Sequence, residues 1–201
     1  MKITIADYGI GNLHSIRKGL EKAGAKTEIV SNMKSLLDAR CLVFPGVGAF
    51  GEAMRKLEPV RESIIERLDS GVPALGICLG MQILLESSEE SKERGLGFVR
   101  GDVKKLDEDR IPQMGWNDVL FKKKIRVFEG VHNGTQFYYA NSYVCFPEDG
   151  EAMAETVYGR TRFISALRKK NAYGFQFHPE KSSNAGLKIL GNFVDIAEEQ
   201  L

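Results

Sequence analysis

Val72-Pro-Ala-Leu-Gly-Ile-Cys-Leu-Gly-Met-Gln-Ile-Leu-Leu-Glu86 places one cysteine at the point where a short apolar run gives way to a helical pattern. Pro73 to Ile77 reads as a buried strand and a helix begins near Leu79, so Cys78 occupies the turn between them. Gly76 and Gly80, two residues to either side, write Gly-x-Cys-x-Gly. This is a thiol counterpart of the strand-turn-helix elbow that holds a nucleophile in a strained, exposed turn. A side chain at either glycine would collide with the neighbouring strand or helix where the backbone reverses so sharply. A free thiol near neutral pH is only roughly a few per cent thiolate, and an adjacent helix N-terminus favours the anion. A buried structural cysteine between two packing glycines has the same local signature, so a second group has to decide between the two.

That group lies one hundred residues on, in Tyr173-Gly-Phe-Gln-Phe-His-Pro-Glu180. Phe175 and Phe177 alternate as in a strand with one face in a core, and His178 is expected to end that strand. Pro179 biases His178 away from helical dihedrals, which predicts an extended chain with Glu180 on the same side as His178. Thiol, imidazole and a carboxylate that sets the imidazole's tautomer are the ordered parts of nucleophilic catalysis. A histidine after a strand is by itself more often a hydrogen-bonded structural residue. Its joint occurrence with the cysteine elbow favours chemistry.

Working outward, Ile3 to Ala6 reads as a strand, Asp7-Tyr-Gly-Ile-Gly-Asn12 as a loop, and Leu13 to Ala23 as an amphipathic helix stopped by Gly24. Thr27 to Val30 is a second strand, Met33 to Ala39 a short helix, and Cys41 to Phe44 a fully apolar third strand of the kind found at the centre of parallel sheets. Helical patterning returns over Glu52–Leu57 and Val60–Leu68, broken at Pro59. Three crossovers between four strands predict an α/β fold with an open, mainly parallel sheet flanked by helices. In such sheets ligands sit beyond the carboxyl ends of the strands, where both Gly46 to Gly51 and Cys78 fall. Ser87 to Arg94 reads as a charged loop. Short strand-like runs follow at Val103–Leu106, Val119–Phe121, Thr135–Tyr139, Ser142–Phe146 and Phe163–Leu167, and these predict antiparallel strand additions. A last helix spans Ala185 to Glu199.

With 201 residues, 43% hydrophobic and 27% charged, the chain fits a single domain over 1–201. The formal net charge of +1 gives no reason to expect nucleic-acid or membrane binding, and the basic run Lys122-Lys-Lys-Ile-Arg126 reads as a solvated loop. Cys41, Cys78 and Cys145 form no close pair and no metal-ligand spacing, which suggests a reducing cytoplasmic compartment and neither metal nor cofactor. No basic segment followed by a long apolar stretch opens the sequence.

Gly46-x-Gly48-x-x-Gly51 follows a strand and opens a helix, formally a dinucleotide fingerprint. That fingerprint belongs after the first strand with an acidic residue at the end of the second, whereas Glu66 and Asp69 fall in a helix. Gly9-x-Gly11 does follow the first strand, but its third position is His14. A better use for Gly46 to Gly48 is as a donor of backbone N–H groups beside the elbow. Acyl transfer by a thiolate passes through an oxyanion that needs such donors, and Leu79 N–H supplies another.

Gly76-Ile-Cys-Leu-Gly-Met-Gln82, Pro45-Gly-Val-Gly48 and His178-Pro-Glu180 together resemble the class I, triad-type glutamine amidotransferases. Over essentially the whole chain, Asp7-Tyr-Gly-Ile-Gly-Asn12, Phe44 to Gly51, Met114-Gly-Trp-Asn117 and His178-Pro-Glu-Lys-Ser-Ser183 resemble the glutaminase subunits of imidazole glycerol phosphate synthase. The resemblance implies hydrolysis of L-glutamine to glutamate and ammonia, with the ammonia passed to a (β/α)8-barrel synthase subunit in a step of histidine synthesis. It implies Cys78 as nucleophile, His178 as base and then acid, and Glu180 as the orienting carboxylate. Gly46, Val47 and Leu79 would surround the oxyanion, while Gln82, Ser142 and Tyr143 would hold the amino-acid end of glutamine. Asn12, Trp116 and Lys181 would face the partner. One departure is Asn141, where the family commonly has histidine before the Ser-Tyr pair; an amide donates and accepts hydrogen bonds but carries no charge near neutral pH. Two other readings are the glutaminase of a different synthase, such as one of pyridoxal phosphate synthesis, and a non-catalytic binding module of the same fold. The Gly-Trp-Asn and Gly-Ile-Gly-Asn segments weigh against the first. The presence of both nucleophile and base weighs against the second.

Overall fold

Strand and helix alternate through the first half of the chain, as the apolar runs predict. A computed structural model describes residues 1–9, 13–148 and 150–200. In chain order its elements begin with β1 (Lys2–Ala6), α1 (His14–Lys22), β2 (Lys26–Val30), β3 (Leu42–Phe44), α2 (Phe50–Leu57) and α3 (Arg61–Asp69). Then follow β4 (Ala74–Ile77), the single turn α4 (Leu79–Gln82), β5 (Ser87–Ser88), β6 (Gly101–Lys105), β7 (Gln113–Asp118) and β8 (Leu120–Phe121). The chain continues through β9 (Gln136–Asn141), β10 (Tyr143–Pro147), β11 (Ala152–Tyr158), β12 (Thr161–Lys169) and β13 (Ala172–Phe175) to α5 (Ser183–Glu198).

Strands β2-β1-β3-β4-β13 pair in parallel, and β12, β10 and β6 continue the sheet in antiparallel fashion, with β5 at its far edge. β11 also pairs with β12 and carries β8, while β7 and β9 form a separate antiparallel pair. The central strands are apolar because both faces are covered. Leu42, Val43 and Phe44 are each fully buried. Ile3, Ile5, Val43, Leu75 and Ile77 pack with α1 and α5 on one face, whereas Leu42, Phe44 and Ala74 pack with α2 and α3 on the other.

Four details depart from the sequence reading. The stretch Met33–Asp38 is a 3₁₀ helix, capped by the Asn32 side chain on Lys34 N–H. β7 and β11 were not expected as strands; β7 carries Met114-Gly-Trp-Asn117 with Met114 and Trp116 exposed, so it lacks the usual apolar alternation. Ser87–Ser88, expected within a loop, forms the edge strand β5. Finally, β13 stops at Phe175 and the chain does not stay extended beyond His178, because Pro179–Lys181 turns as a 3₁₀ helix with Pro179 at its start. Proline's fixed φ suits a helical first turn. The Asp7–Asn12 loop lies partly outside the described residues, and Asn12 with it.

Candidate active site

The close packing of the elbow follows from its two glycines. A Cβ on Gly76 would lie 2.3 Å from Gly80 O, and one on Gly80 would lie 1.8 Å from Phe44 O. Strand β4, the turn and β3 thus approach one another at backbone distance, and Cys78 is driven to φ 49°, ψ −106°. A non-glycine residue in the positive-φ region costs about 1–3 kcal/mol and persists only where its surroundings over-determine it. Here Cys78 N–H bonds Phe175 O at 2.6 Å, and Met81 and Gln82 N–H bond Cys78 O at 3.0 and 3.1 Å. The side chain is held at the carboxyl ends of β3, β4 and β13, where it is 7% exposed.

β13 pairs with β4 in register, Gly174 on Gly76 and Phe175 on Ile77. One residue past that rung are Cys78 and Gln176, and two further on is His178. His178 N–H bonds Tyr138 O of β9 at 2.8 Å. The turn at Pro179–Lys181 folds Glu180 back, so that Glu180 Oε1 accepts from His178 Nδ1 at 2.8 Å, with the two side chains 4% and 7% exposed. The carboxylate therefore orients the ring by way of a turn, where the sequence predicts extended chain. Burial opposes charge on His178, but hydrogen bonds to Cys78 and Glu180, with the charges of both, outweigh it and raise the imidazole to about 10. Protonated, the ring is the acid next to Cys78.

The other two thiols are set apart by their surroundings. Burial pushes Cys41 up to about 12, and burial followed by the proximity of Cys78 pushes Cys145 well above the ordinary thiol value.

Gly46 closes the site from the β3 side. Its Cβ position lies 2.8 Å from Ile77 O, 2.9 Å from Cys78 Cβ and 3.0 Å from His178 Cε1. Gly46 therefore lies against nucleophile and imidazole together, and it is followed by a partly buried Val47 and by Gly48 at φ 96°. Leu79 follows Cys78 at the start of α4, where the first N–H groups have no intrahelical partner.

Gln82 is brought to the same place, but its amide is already engaged: Nε2 donates to Tyr143 O at 2.9 Å and to Gln176 Oε1 at 3.3 Å. Ser142 and Tyr143 are partly buried beside it. Asn141 is buried opposite Gln113 in the β7–β9 ladder; its Nδ2 donates to Tyr143 O at 3.2 Å, and its Oδ1 has no partner among the described residues. Gln176 was missed by the sequence reading. It is fully buried and its Nε2 donates to Cys78 Sγ at 3.5 Å. The available signal was a polar residue between two core phenylalanines next to a candidate base.

Trp116 and Lys181 share one surface. Trp116, 49% exposed, meets Tyr138 edge to face at 6.1 Å, and Lys181 Nζ sits 5.9 Å from the Tyr138 ring centroid, so the lysine is not isolated. A cavity of about 660 Å³ lies elsewhere, around Phe121, Lys122 to Arg126 and His132, and shares no residue with the triad. Its basic run is partly spent, with Lys122 on Glu155 and Arg126 on Glu199. Among the described residues no His, Cys, Asp and Glu cluster is placed to hold a metal, and no helix is long and apolar enough to cross a membrane.

Comparison with known proteins gives a consistent picture. Residues 4–197 match the family model described as glutamine amidotransferase class-I. The chain is 46% identical over 196 residues to the imidazole glycerol phosphate synthase subunit HisH of Methanocaldococcus jannaschii, covering 96% of this chain and 99% of that one. It is 46% identical over 194 residues to HisH of Pyrococcus furiosus, covering 96% and 97%. Among solved structures, PurLQS from Thermotoga maritima superposes with a TM-score of 0.78 at 17% identity, covering 97% of this chain and 98% of that one. The glutaminase domain of Trypanosoma brucei CTPS with bound acivicin gives 0.72 at 18%, covering 99% and 94%. At these identities the structures establish the shared fold.

Proposed function

Because the chain belongs to the class-I glutamine amidotransferases, and within them to the HisH subunits of imidazole glycerol phosphate synthase, we propose that it hydrolyses L-glutamine through a Cys78 thioester and delivers the ammonia to a synthase partner. The observation that carries this reading is the Cys78 elbow with His178 against it and Glu180 on the far ring nitrogen. The Cys78 thiolate attacks the side-chain carboxamide carbon, an S–C bond forms, and the carbonyl electron pair moves to oxygen. Backbone N–H groups of the Gly46-Val47 segment and of Leu79 receive that charge, because a developing oxyanion is stabilised by nearby backbone donors. As the carbonyl re-forms, the C–N bond breaks and His178 gives its proton to the departing ammonia. Neutral His178 then takes a proton from water, hydroxide adds to the thioester, and glutamate leaves as the sulfur recovers its electron pair. Glu180 keeps the ring's tautomer through both halves.

Gln82, Ser142 and Tyr143 line the pocket for the amino-acid end of glutamine. The exposed face of Trp116, Tyr138 and Lys181 receives the partner, a (β/α)8-barrel synthase subunit. What supports this placement is the direct bond between His178 N–H and the Tyr138 carbonyl, which joins the exposed face to the imidazole. Asn12, assigned to the same interface, lies outside the described residues.

The test is Cys78→Ala. Glutamine-dependent turnover falls at least a thousandfold, while the partner's synthase activity fed with ammonium salt is retained. Glutamine-dependent turnover above that level overturns the assignment of Cys78.

A further inference from the structure

We infer that the Gln176 side-chain amide is a further catalytic residue of the reaction proposed above, donating a hydrogen bond to the Cys78 sulfur and stabilising it as the thiolate that attacks and later leaves. The contact is made by Nε2 at 3.5 Å from Sγ, with Gln176 fully buried. The register explains the proximity. β4 and β13 run parallel with Ile77 opposite Phe175, so the next residues, Cys78 and Gln176, emerge side by side where both strands end.

The amide has one orientation that satisfies its neighbours. Gln176 Oε1 accepts from Gln82 Nε2 at 3.3 Å and from Cys145 Sγ at 3.9 Å, so Nε2 is left facing Cys78. Gln82 is itself held on Tyr143 O at 2.9 Å, and Gln176 N–H is held on Ser165 O at 2.9 Å. Turning the amide over would strip two donors of their acceptor and bring an oxygen up to the sulfur, and unmade bonds in a buried site are costly. Burial keeps the Cys145 thiol protonated and so available as a donor.

Chemically, the sulfur is charged before attack and again as thioester breaks down, and neutral in between. A fixed N–H donor therefore favours the states at the two ends of the covalent cycle. His178 approaches the sulfur as well, but its proton is consumed in releasing ammonia, whereas the amide gives up none. A donor that does not touch glutamine acts on turnover and not on substrate affinity.

The experiment compares wild type with Gln176→Met, which keeps the length of the side chain without donors, and Gln176→Glu, which keeps an acceptor for Gln82. Alkylation of Cys78 by iodoacetamide is followed by peptide mass analysis from about pH 5 to 10, a range spanning ordinary thiol titration. The midpoint moves up by about one to two pH units in both variants, the size expected for one hydrogen bond to a charged group. At neutral pH kcat for glutamate release falls about tenfold to a hundredfold on the same grounds, with KM little changed. In the unsubstituted protein, the Gln176 side-chain amide resonance titrates with the alkylation midpoint and ceases to titrate in Cys78→Ala. Superimposable alkylation profiles in the variants, or an amide resonance indifferent to Cys78, overturns the inference. Because alkylation uses no glutamine, that result is distinguishable from failure of the glutaminase reading, which Cys78→Ala decides.

Discussion

Gly46→Ala adds one methyl group where three parts of the site meet. The new carbon falls 2.8 Å from Ile77 O, 2.9 Å from Cys78 Cβ and 3.0 Å from His178 Cε1. Carbon atoms prefer about 3.5–4.0 Å, so each neighbour has to yield by roughly 0.5–1 Å. No single shift relieves all three, since Ile77 O and Cys78 Cβ are fixed by the elbow and His178 is held by Tyr138 and Glu180. Gly46 has no positive φ, so the effect is overpacking and not backbone strain. Overpacking costs about 1–3 kcal/mol of stability, or a fall in Tm of roughly 2–12 °C for a chain of this size. The chemical cost is larger, because misplacing reacting groups by about 1 Å costs about a hundredfold in rate. Glutamate release in the presence of the partner measures kcat, and calorimetry measures Tm. Gly191→Ala is the control, with nothing within 4 Å of its Cβ in the interior of α5, and it raises stability by about 0.5–1 kcal/mol with full activity. A Gly46→Ala protein that keeps more than half of wild-type turnover and its Tm would refute the packing argument.

Glu180→Gln keeps the shape of the carboxylate but removes the charge that holds the His178 tautomer, and glutamate release falls about 10²–10⁴-fold without loss of fold, as judged by far-UV circular dichroism. Lys181→Ala and Trp116→Ala lower partner-stimulated glutamate release severalfold while ammonia-dependent synthesis by the partner is unchanged; titration curves identical to wild type would mark both as plain surface. A raised His178 value means that its protonated form is favoured in the folded state, so its stabilisation is complete below the unfolded value of about 6.5 and is lost as pH rises through about 10. Urea midpoints measured across that window decline more steeply in wild type than in Glu180→Gln.

The alternating strands and helices of the first half were legible because each element carries its own signal within a few residues. Leu42-Val-Phe44 is apolar at every position and is buried at every position, and α1 ends close to Gly24. The second half was read less completely. β7 exposes Met114 and Trp116 on one side, and among the described residues it pairs with β9 alone, so no apolar period announces it. β11 pairs with β12 across the short Gly159-Arg160 turn, but its other partner, β8, is distant in sequence.

The site divides in the same way. Gly-x-Cys-x-Gly marks its own elbow through Gly76, whose side chain would enter Gly80 O, while the need for Gly80 comes from Phe44 O on β3. His178-Pro-Glu180 likewise determines that a carboxylate lies within reach of the ring, although proline starts a turn where extended chain was expected. That the two segments meet is decided by the parallel pairing of β4 with β13, a contact across 98 residues between Cys78 and Gln176. Sequence patterns report which face of an element is apolar, but not which element will cover it. The amide chain from Tyr143 through Gln82 and Gln176 to the sulfur exists only once β10, α4, β4 and β13 have been brought to one point, because each bond in it joins a different pair of elements.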